Sequence, residues 1–507
     1  MRFLLTILLC VNFIAFSQEK TIKKIAMQTS IERLREDIYY LSDSSLEGRL
    51  IGTKGDSIAA SYISDCFAKN HLIAPYQNGT SYIQSIITNR KDFLKTQLSI
   101  GNKSYDYFDG WFGNLRNMDS INIQNIPVVF CGYGIESKMY NDFENIDVKG
   151  KVVIILEGQP KNKKGIYALT NSQEPGSTLS YQDRFEGKGA VLILVCNTTF
   201  EEDVHKQQEM SFVPTYKNDY LPKVKNNTPV LFLSEEHINK LLNSSNNTIK
   251  DLEEKIQKQF LPNSFDINSK ISLSIQSRIY NSTAPNVIGY IKGKDISDEY
   301  VLISAHHDHI GVNGKDIYFG AIDNASGVAS LMEIVRLFEL AIRDGKKPKR
   351  NIVFTSFTGE EEGLLGSYYF TEFPFFPLKN LKAVLNTDML GGVDTIHNSK
   401  KTNSNYVYII VAEPKGYGLR ESLYKANSVF NNLELDTYYE HPMHIQRRLR
   451  GSDQYPFYLK KVPFIRIDCG FTKDYHQPSD TPDKINYELL ANQVQLIFLT
   501  LWNIAND

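Results

Sequence analysis

Residues 300–309 read Tyr-Val-Leu-Ile-Ser-Ala-His-His-Asp-His. Tyr300 to Ala305 is a short apolar run of strand length, and it stops on a cluster of polar, chemically capable side chains. Downstream, Val328, Leu331, Met332, Val335 and Phe338 recur at helical spacing, and Ile352 to Phe357 forms the next strand-like run. A helix through Leu365 and Tyr369 follows, and Ala383 to Thr387, Tyr406 to Val411 and Val462 to Ile467 continue the series. Strands alternating with helices predict an α/β fold, a mostly parallel mixed sheet covered by helices on both faces.

Upstream the texture differs. Ile31, Leu34, Ile38 and Leu41 fall at helical spacing, and a turn with Gly48, Gly52 and Gly55 precedes a second helical stretch through Ile58, Tyr62 and Phe67. Between about Ser120 and Asn268, short β-type runs (Pro127 to Phe130, Val152 to Leu156, Val191 to Val195, Pro229 to Leu233) are separated by loops rich in Asn, Lys and Ser. We therefore expect residues 18–119 to begin the main domain, 120–268 to be a small β-rich insertion, and 269–507 to complete the main domain.

The chain has 507 residues, 42% hydrophobic and 22% charged, with a formal net charge of -2. Ample core material is present, and no Lys/Arg block is long enough to track a phosphate backbone, which argues against nucleic-acid binding. Met1-Arg2, the apolar run Phe3 to Phe16 and the small residues Ala15 and Ser17 read as a signal peptide over residues 1–17, so export to the periplasm or medium is expected. No stable membrane insertion is expected after cleavage, because Asn492, Gln493 and Gln495 interrupt the C-terminal apolar segment. Cys66, Cys131, Cys196 and Cys469 are widely spaced with no C-x-x-C, which excludes a zinc finger and leaves free thiols or pairing open.

In a parallel sheet, function gathers beyond the carboxyl ends of the strands. Those ends carry Ala305-His306-His307-Asp308-His309, Thr358-Gly359-Glu360-Glu361-Glu362-Gly363 and Asn386-Thr387-Asp388-Met389. Gly320-Ala321-Ile322-Asp323-Asn324-Ala325-Ser326-Gly327 opens the first helix, and Asp474-Tyr475-His476-Gln477-Pro478-Ser479-Asp480-Thr481 comes near the C-terminus. A lone strand-end His is more often a packing residue, an acidic triplet often only complements a helix dipole, and Asp-Asn before a helix is often only a cap. Together they place imidazoles and carboxylates in the loops of one sheet, the donor set that suits zinc. Five such groups exceed the three protein ligands of a single catalytic zinc and point to two metals sharing a bridge.

In order and spacing, His-x-Asp, Asp-x-x-Ser-Gly, Glu-Glu-x-Gly-Leu-x-Gly-Ser, Asn-x-Asp-Met and Tyr-His-x-x-x-Asp resemble the co-catalytic zinc aminopeptidases of peptidase clan MH. Secreted bacterial leucyl aminopeptidases belong to that family, and glutamate carboxypeptidase II, the transferrin receptor and glutaminyl cyclase are wider relatives. The middle region resembles their inserted protease-associated domain through Gly132-Tyr133-Gly134 and Asp147-Val148-Lys149-Gly150-Lys151-Val152-Val153. Leu46-Glu47-Gly48-Arg49 and Gly52-Thr53-Lys54-Gly55 match the N-terminal part of such enzymes.

The resemblance implies a two-zinc exopeptidase that removes N-terminal residues from peptides using metal-activated water. It implies His306 and Asp388 on one Zn2+, Glu361 and His476 on the other, and Asp323 bridging both. Asp308 would accept a hydrogen bond from the His306 imidazole, Glu360 would be the general base, and Tyr475 would stabilise the oxyanion. It also implies a cis peptide after Asp323. His307 alternates to the face opposite His306 and reads as a packing or surface residue, His309 and Glu362 receive no catalytic role from the resemblance, and His441 and His444 read as surface residues. Asn324-Ala325-Ser326 matches a glycosylation acceptor by letter, but a glycan there would block the metals. Ser452-Asp453-Gln454 stands where relatives often have Ser-Asp-His, a difference that bears on the substrate pocket. One rival reading is a carboxypeptidase or dipeptidase, with Arg447, Arg448 and Arg450 available for a carboxylate. A glutaminyl cyclase would have fewer ligands, and a receptor-like binding protein should have lost ligands or the base.

Overall fold

The run at 300–306 lies at the centre of a parallel block of strands. The structure is a computed structural model, which describes residues 20–507 except 114, 116–117, 119, 174–178, 210–214, 218–227, 246, 296–297, 400–404 and 430–432. The signal-peptide reading and Cys10 lie outside the described residues. The chain divides into two units, one of residues 1–88 with 282–507 and one of Asn89–Asn281. The second unit is wider than the expected insertion because both of its boundaries fall inside long strands, Ile83–Ile100 and Ser264–Ile291.

In the first unit we label β1 (Tyr300–His306), α1 (Ser326–Arg343), β2 (Asn351–Phe357), α2 (Leu365–Glu372), β3 (Leu381–Thr387), β4 (Tyr406–Ala412), β5 (Glu434–Asp436), α3 (Gln454–Leu459), β6 (Phe464–Asp468) and α4 (Tyr487–Asn506). The sheet order is β5-β4-β6-β3-β1-β2, followed by the end of Ser264–Ile291. β2, β1, β3 and β6 are mutually parallel, while β4 and the Ser264–Ile291 strand run antiparallel to their neighbours β6 and β2. Alternate residues of β1 face opposite layers, as a strand requires. Val301, Ile303 and Ala305 pack with α1 and α4, whereas Leu302 packs with Phe370 of α2 and Phe457 of α3. Helices therefore cover both faces, the fold the alternating pattern predicts.

The helical stripe of α1 is buried throughout, and Phe338 meets Phe354, Phe498 and Trp502 with ring centroids 5.9, 5.0 and 5.8 Å apart. α4 is buried along most of its length despite its amides. The Gln493 side chain accepts from the Gly391 N–H (2.8 Å) and donates to the Tyr406 carbonyl (3.1 Å), satisfying a polar group inside the core. Among the described residues no helix is long and apolar enough to cross a membrane.

The second unit is more α/β than β-rich. Its strands Ile121–Cys131, Val152–Leu156, Leu192–Asn197 and Val230–Ser234 pair in parallel in that order, with helices Glu235–Leu242 and Ile249–Gln259 following. Cys66, Cys131, Cys196 and Cys469 are all free thiols.

Candidate active site

The carboxyl ends of β1, β2 and β3 lie side by side, so the loops that follow them converge. β1 and β2 pair through His306 and Phe357, and the His307 N–H continues the ladder to the Phe357 carbonyl at 2.9 Å. The loop before α1 enters the same space. Gly320 adopts φ +58°, and a Cβ there would stand 2.3 Å from the Asp323 carbonyl and 2.5 Å from the His309 ring, so only glycine lets these segments approach. The Asp323-Asn324 peptide is cis. The Asn324 amide ties the α1 loop to the β3 loop, donating to the Thr387 carbonyl (3.1 Å) and accepting from the Gly327 and Met389 N–H groups (3.0 and 3.1 Å). Asn324 is fully buried, which removes the glycosylation reading.

Two groups of donor atoms share Asp323. His306 Nε2 lies 3.3 Å from Asp323 Oδ1 and 3.4 Å from Asp388 Oδ1. His476 Nε2 lies 3.3 Å from Asp323 Oδ2 and 3.1 Å from Glu361 Oε2. His476 Nε2 is buried yet makes no hydrogen bond, although two carboxylates stand beside it. Donors spaced this way, with His476 Nε2 left without a hydrogen bond between two carboxylates, suit a shared cation. Tetrahedral zinc at about 2.0–2.1 Å from each ligand sets neighbouring ligands about 3.3 Å apart. The electrostatics agree. Burial disfavours a charged His306 imidazole, but Glu360, Asp308, Asp323 and Asp388 together raise its pKa well above the usual value. Burial likewise opposes ionisation of Glu361, yet His476, with His309 adding, holds it at about 2. The carboxylate surplus draws positive charge inward.

Two placements differ from the sequence reading, those of Asp308 and His309. Asp308 sets its carboxylate 3.6 Å from His306 Nδ1, while its own carbonyl is nearer at 3.2 Å. The carboxylate instead accepts from the Glu360 and Glu361 N–H groups (3.1 and 3.3 Å), fixing the turn that presents both glutamates. His309, given no role above, turns Nδ1 to Glu361 Oε1 at 2.8 Å, because the chain leaves strand geometry after His306 and alternation no longer governs. His307 is a packing residue, bonded to Ser356 Oγ (2.9 Å) and set against the buried Asp56.

Other residues were not singled out. Arg466, a cation inside the apolar strand β6, meets Asp388 Oδ2 at 3.1 Å and Asp468 at 2.8 Å. That placement, a charge in a buried strand, was the signal available. Asp480, the last residue of Tyr-His-x-x-x-Asp, accepts from the Ile322 and Asp323 N–H groups (2.9 and 3.1 Å). Buried Arg49 donates to the carbonyls of Leu41, His307 (2.8 Å), Phe319 (2.8 Å) and Gly320 (2.9 Å), joining the β1 and α1 loops.

Asp323, Glu360, Glu361, Asp388, Arg447, Arg466 and Tyr475 are among the residues lining a cavity of about 160 Å³. Tyr475 stacks on His476 with centroids 3.8 Å apart. Burial raises the Glu360 carboxyl well above its usual value, with His306 opposing and Asp388, Glu361 and Asp453 adding to the rise.

The model of peptidase family M28 matches residues 286–501, which hold His306, Asp323, Glu360, Glu361, Asp388 and His476. The chain carries a peptidase family M28 domain. Among curated proteins, a "Probable zinc metalloprotease" of Pyrenophora tritici-repentis is 26% identical over 262 residues, 45% of this chain and 58% of that protein. "Aminopeptidase NAALADL1" of Mus musculus is 38% identical over 122 residues, 24% of this chain and 15% of that protein. The matches to this chain thus span about half of the first relative and a small part of the second. Among solved structures, an aminopeptidase from Aneurinibacillus sp. strain AM-1 has a TM-score of 0.59 at 17% identity, covering 96% of both chains. The zinc aminopeptidase BSAP from Bacillus subtilis has a TM-score of 0.51 at 19% identity, covering 94% of this chain and 96% of its own. At those identities the likeness shows the fold that the M28 domain adopts.

Proposed function

We propose that the protein is a two-zinc aminopeptidase. The observation that carries this reading is the sharing of Asp323 between two donor sets, His306 with Asp388 and Glu361 with His476. Zinc held there supplies Lewis acidity toward the scissile carbonyl and toward water. The chain's own residues do the rest. Glu360, beside Glu361 but outside the donor sets, takes a proton from the attacking water and passes it to the leaving amine. Asp308 keeps Glu360 in place through its backbone N–H. Tyr475 hydrogen-bonds the developing oxyanion from the cavity wall. Arg466 neutralises the second oxygen of Asp388 and orients the first. His309 holds the Oε1 of Glu361 in place from its own side.

A cavity of about 160 Å³ is small beside ligand clefts of roughly 300–1,000 Å³. It suits one terminal residue better than a length of chain, and this supports exopeptidase action on peptides. The carboxypeptidase reading draws on the arginines of the cavity wall, but Arg448 is bonded to Asp468 at 2.6 Å and Arg466 to Asp388 and Asp468. That leaves exposed Arg447 to hold a substrate carboxylate there. We further propose that residues 1–17 direct export and that Asn89–Asn281 contains a protease-associated domain, both on the sequence features given above.

The test is a panel of aminoacyl-nitroanilides with free and N-acetylated peptides, run with and without chelator. Hydrolysis of free N-termini, abolished by acetylation and by chelation, is expected. Release of C-terminal residues from N-acetylated peptides would overturn the aminopeptidase reading in favour of the carboxypeptidase.

A further inference from the structure

A second cluster of metal-capable side chains lies outside the M28 site, at the edge of the same sheet. β5 pairs in parallel with β4, Glu434 opposite Tyr406 and Asp436 opposite Tyr408. Residues two apart on a strand share a face, so Glu434 and Asp436 project to the same side as the rings of Tyr406 and Tyr408. His397, in the short helix Thr395–Ser399, occupies that side. Its imidazole lies flat on Tyr406, with centroids 3.5 Å apart and planes 7° from parallel, and meets Tyr408 edge-on at 5.2 Å. The ring is thus fixed by packing.

Its two nitrogens face different partners. Nδ1 lies 2.9 Å from Asp394 Oδ1, and that same oxygen accepts the His397 backbone N–H at 2.8 Å. The other oxygen of Asp394 accepts from the Tyr408 hydroxyl at 2.8 Å. This carboxylate therefore holds the proton on Nδ1 and turns the lone pair of Nε2 outward. Nε2 lies 3.4 Å from Asp436 Oδ2, and one ligand atom each from His397, Glu434 and Asp436 lie within 4.8 Å of one another. A histidine backed by a carboxylate on one nitrogen, with the Asp436 oxygen at the other and Glu434 in the same cluster, is the arrangement in which metal-binding imidazoles are held.

We propose that His397, Glu434 and Asp436 bind one divalent transition-metal ion of the zinc class, with Asp394 orienting the imidazole. One nitrogen and two carboxylates match borderline cations, and three protein ligands leave a position open to solvent. Glu434 is exposed and Asp436 half-buried, so the ion has a path in. Bound there, it pins β5 to the segment that follows the Asp388 loop. A proton shared between His397 and its two flanking aspartates is the competing account of the same geometry.

The two accounts separate by metal content. The full chain is equilibrated with micromolar free zinc and its zinc per chain measured by atomic emission, in a His306→Ala/Asp323→Ala background that disables the proposed catalytic site. One equivalent should persist in that background and vanish on adding His397→Ala. The pair Glu434→Gln and Asp436→Asn, which leaves the His397 stack and the Asp394 bond intact, should remove the same equivalent if His397→Ala fails to fold. Unchanged zinc content in either folded variant overturns the proposal and leaves the shared proton. The proposal does not rest on the aminopeptidase reading, since the background variant counts the two sites separately.

Discussion

Replacing Arg49 should loosen the candidate active site without touching any proposed ligand. Its guanidinium donates to four backbone carbonyls, those of Leu41, His307, Phe319 and Gly320. Hydrogen bonds from a charged group contribute about 1.5–3 kcal/mol each, so four contribute on the order of 6–12 kcal/mol. Against this stands the cost of burying the charge, with only partial help from Asp308, Asp480, Asp323 and Glu361. Burial brings the Arg49 pKa down from 12.5 to about 10. At about 1.4 kcal/mol per pH unit that is about 3 kcal/mol. The lower end of the difference, about 3 kcal/mol, is the loss expected for Arg49→Ala in urea unfolding. It is a large share of a net stability of about 5–15 kcal/mol. Two of the freed carbonyls lie on the loop leading to Asp323 and one directly follows His306, so zinc affinity should fall with stability. Arg49→Lys retains the charge but gathers its three donors on one nitrogen, so more than half of the loss should remain. A loss under about 1 kcal/mol in Arg49→Ala, with zinc affinity unchanged, would refute the reasoning.

Glu360→Gln should keep its zinc and lose at least roughly 10²-fold in turnover, whereas Glu361→Gln should lose zinc; equal metal contents would undo that division of roles. His309→Ala removes the 2.8 Å contact to Glu361 and should weaken zinc binding by about 10–100-fold, the usual effect of a supporting residue. An unaltered zinc affinity would reduce His309 to packing. Burial raises Asp142 from 3.8 to about 6, against hydrogen bonds from Ile135, Tyr140 and Tyr133. Its folded form thus holds the proton more tightly than the unfolded chain. The stability it contributes is present below about pH 4 and is lost as pH rises through about 6, about 3 kcal/mol in all. Asp142→Asn should flatten that decline in urea midpoints measured at several pH values, and an identical pH profile in both proteins would count against it.

The strands and helices of the M28 domain were legible because their signals are local. A run such as Tyr300 to Ala305 reads as strand from its own residues, and the stripe from Val328 to Phe338 reads as helix from spacing alone. The strand-end motifs were legible for a related reason, since a parallel sheet must deliver its loops to one edge whatever the details of packing. That rule brought the loops together, the resemblance implied His306, Asp323, Glu361, Asp388 and His476 within them, and in the structure these five side chains meet. What needed tertiary structure were contacts made by chain leaving regular geometry or arriving from far away. His309 reaches Glu361 only because the backbone bends after β1, and Asp308 serves the Glu360 turn because β2 happens to end beside it. Arg49 comes from more than 250 residues upstream of His307, and no spacing within either segment encodes that approach. The unit boundaries at 89 and 281 escaped because Ile83–Ile100 and Ser264–Ile291 each remain one unbroken strand, and a strand's own sequence does not record which domain its neighbours belong to.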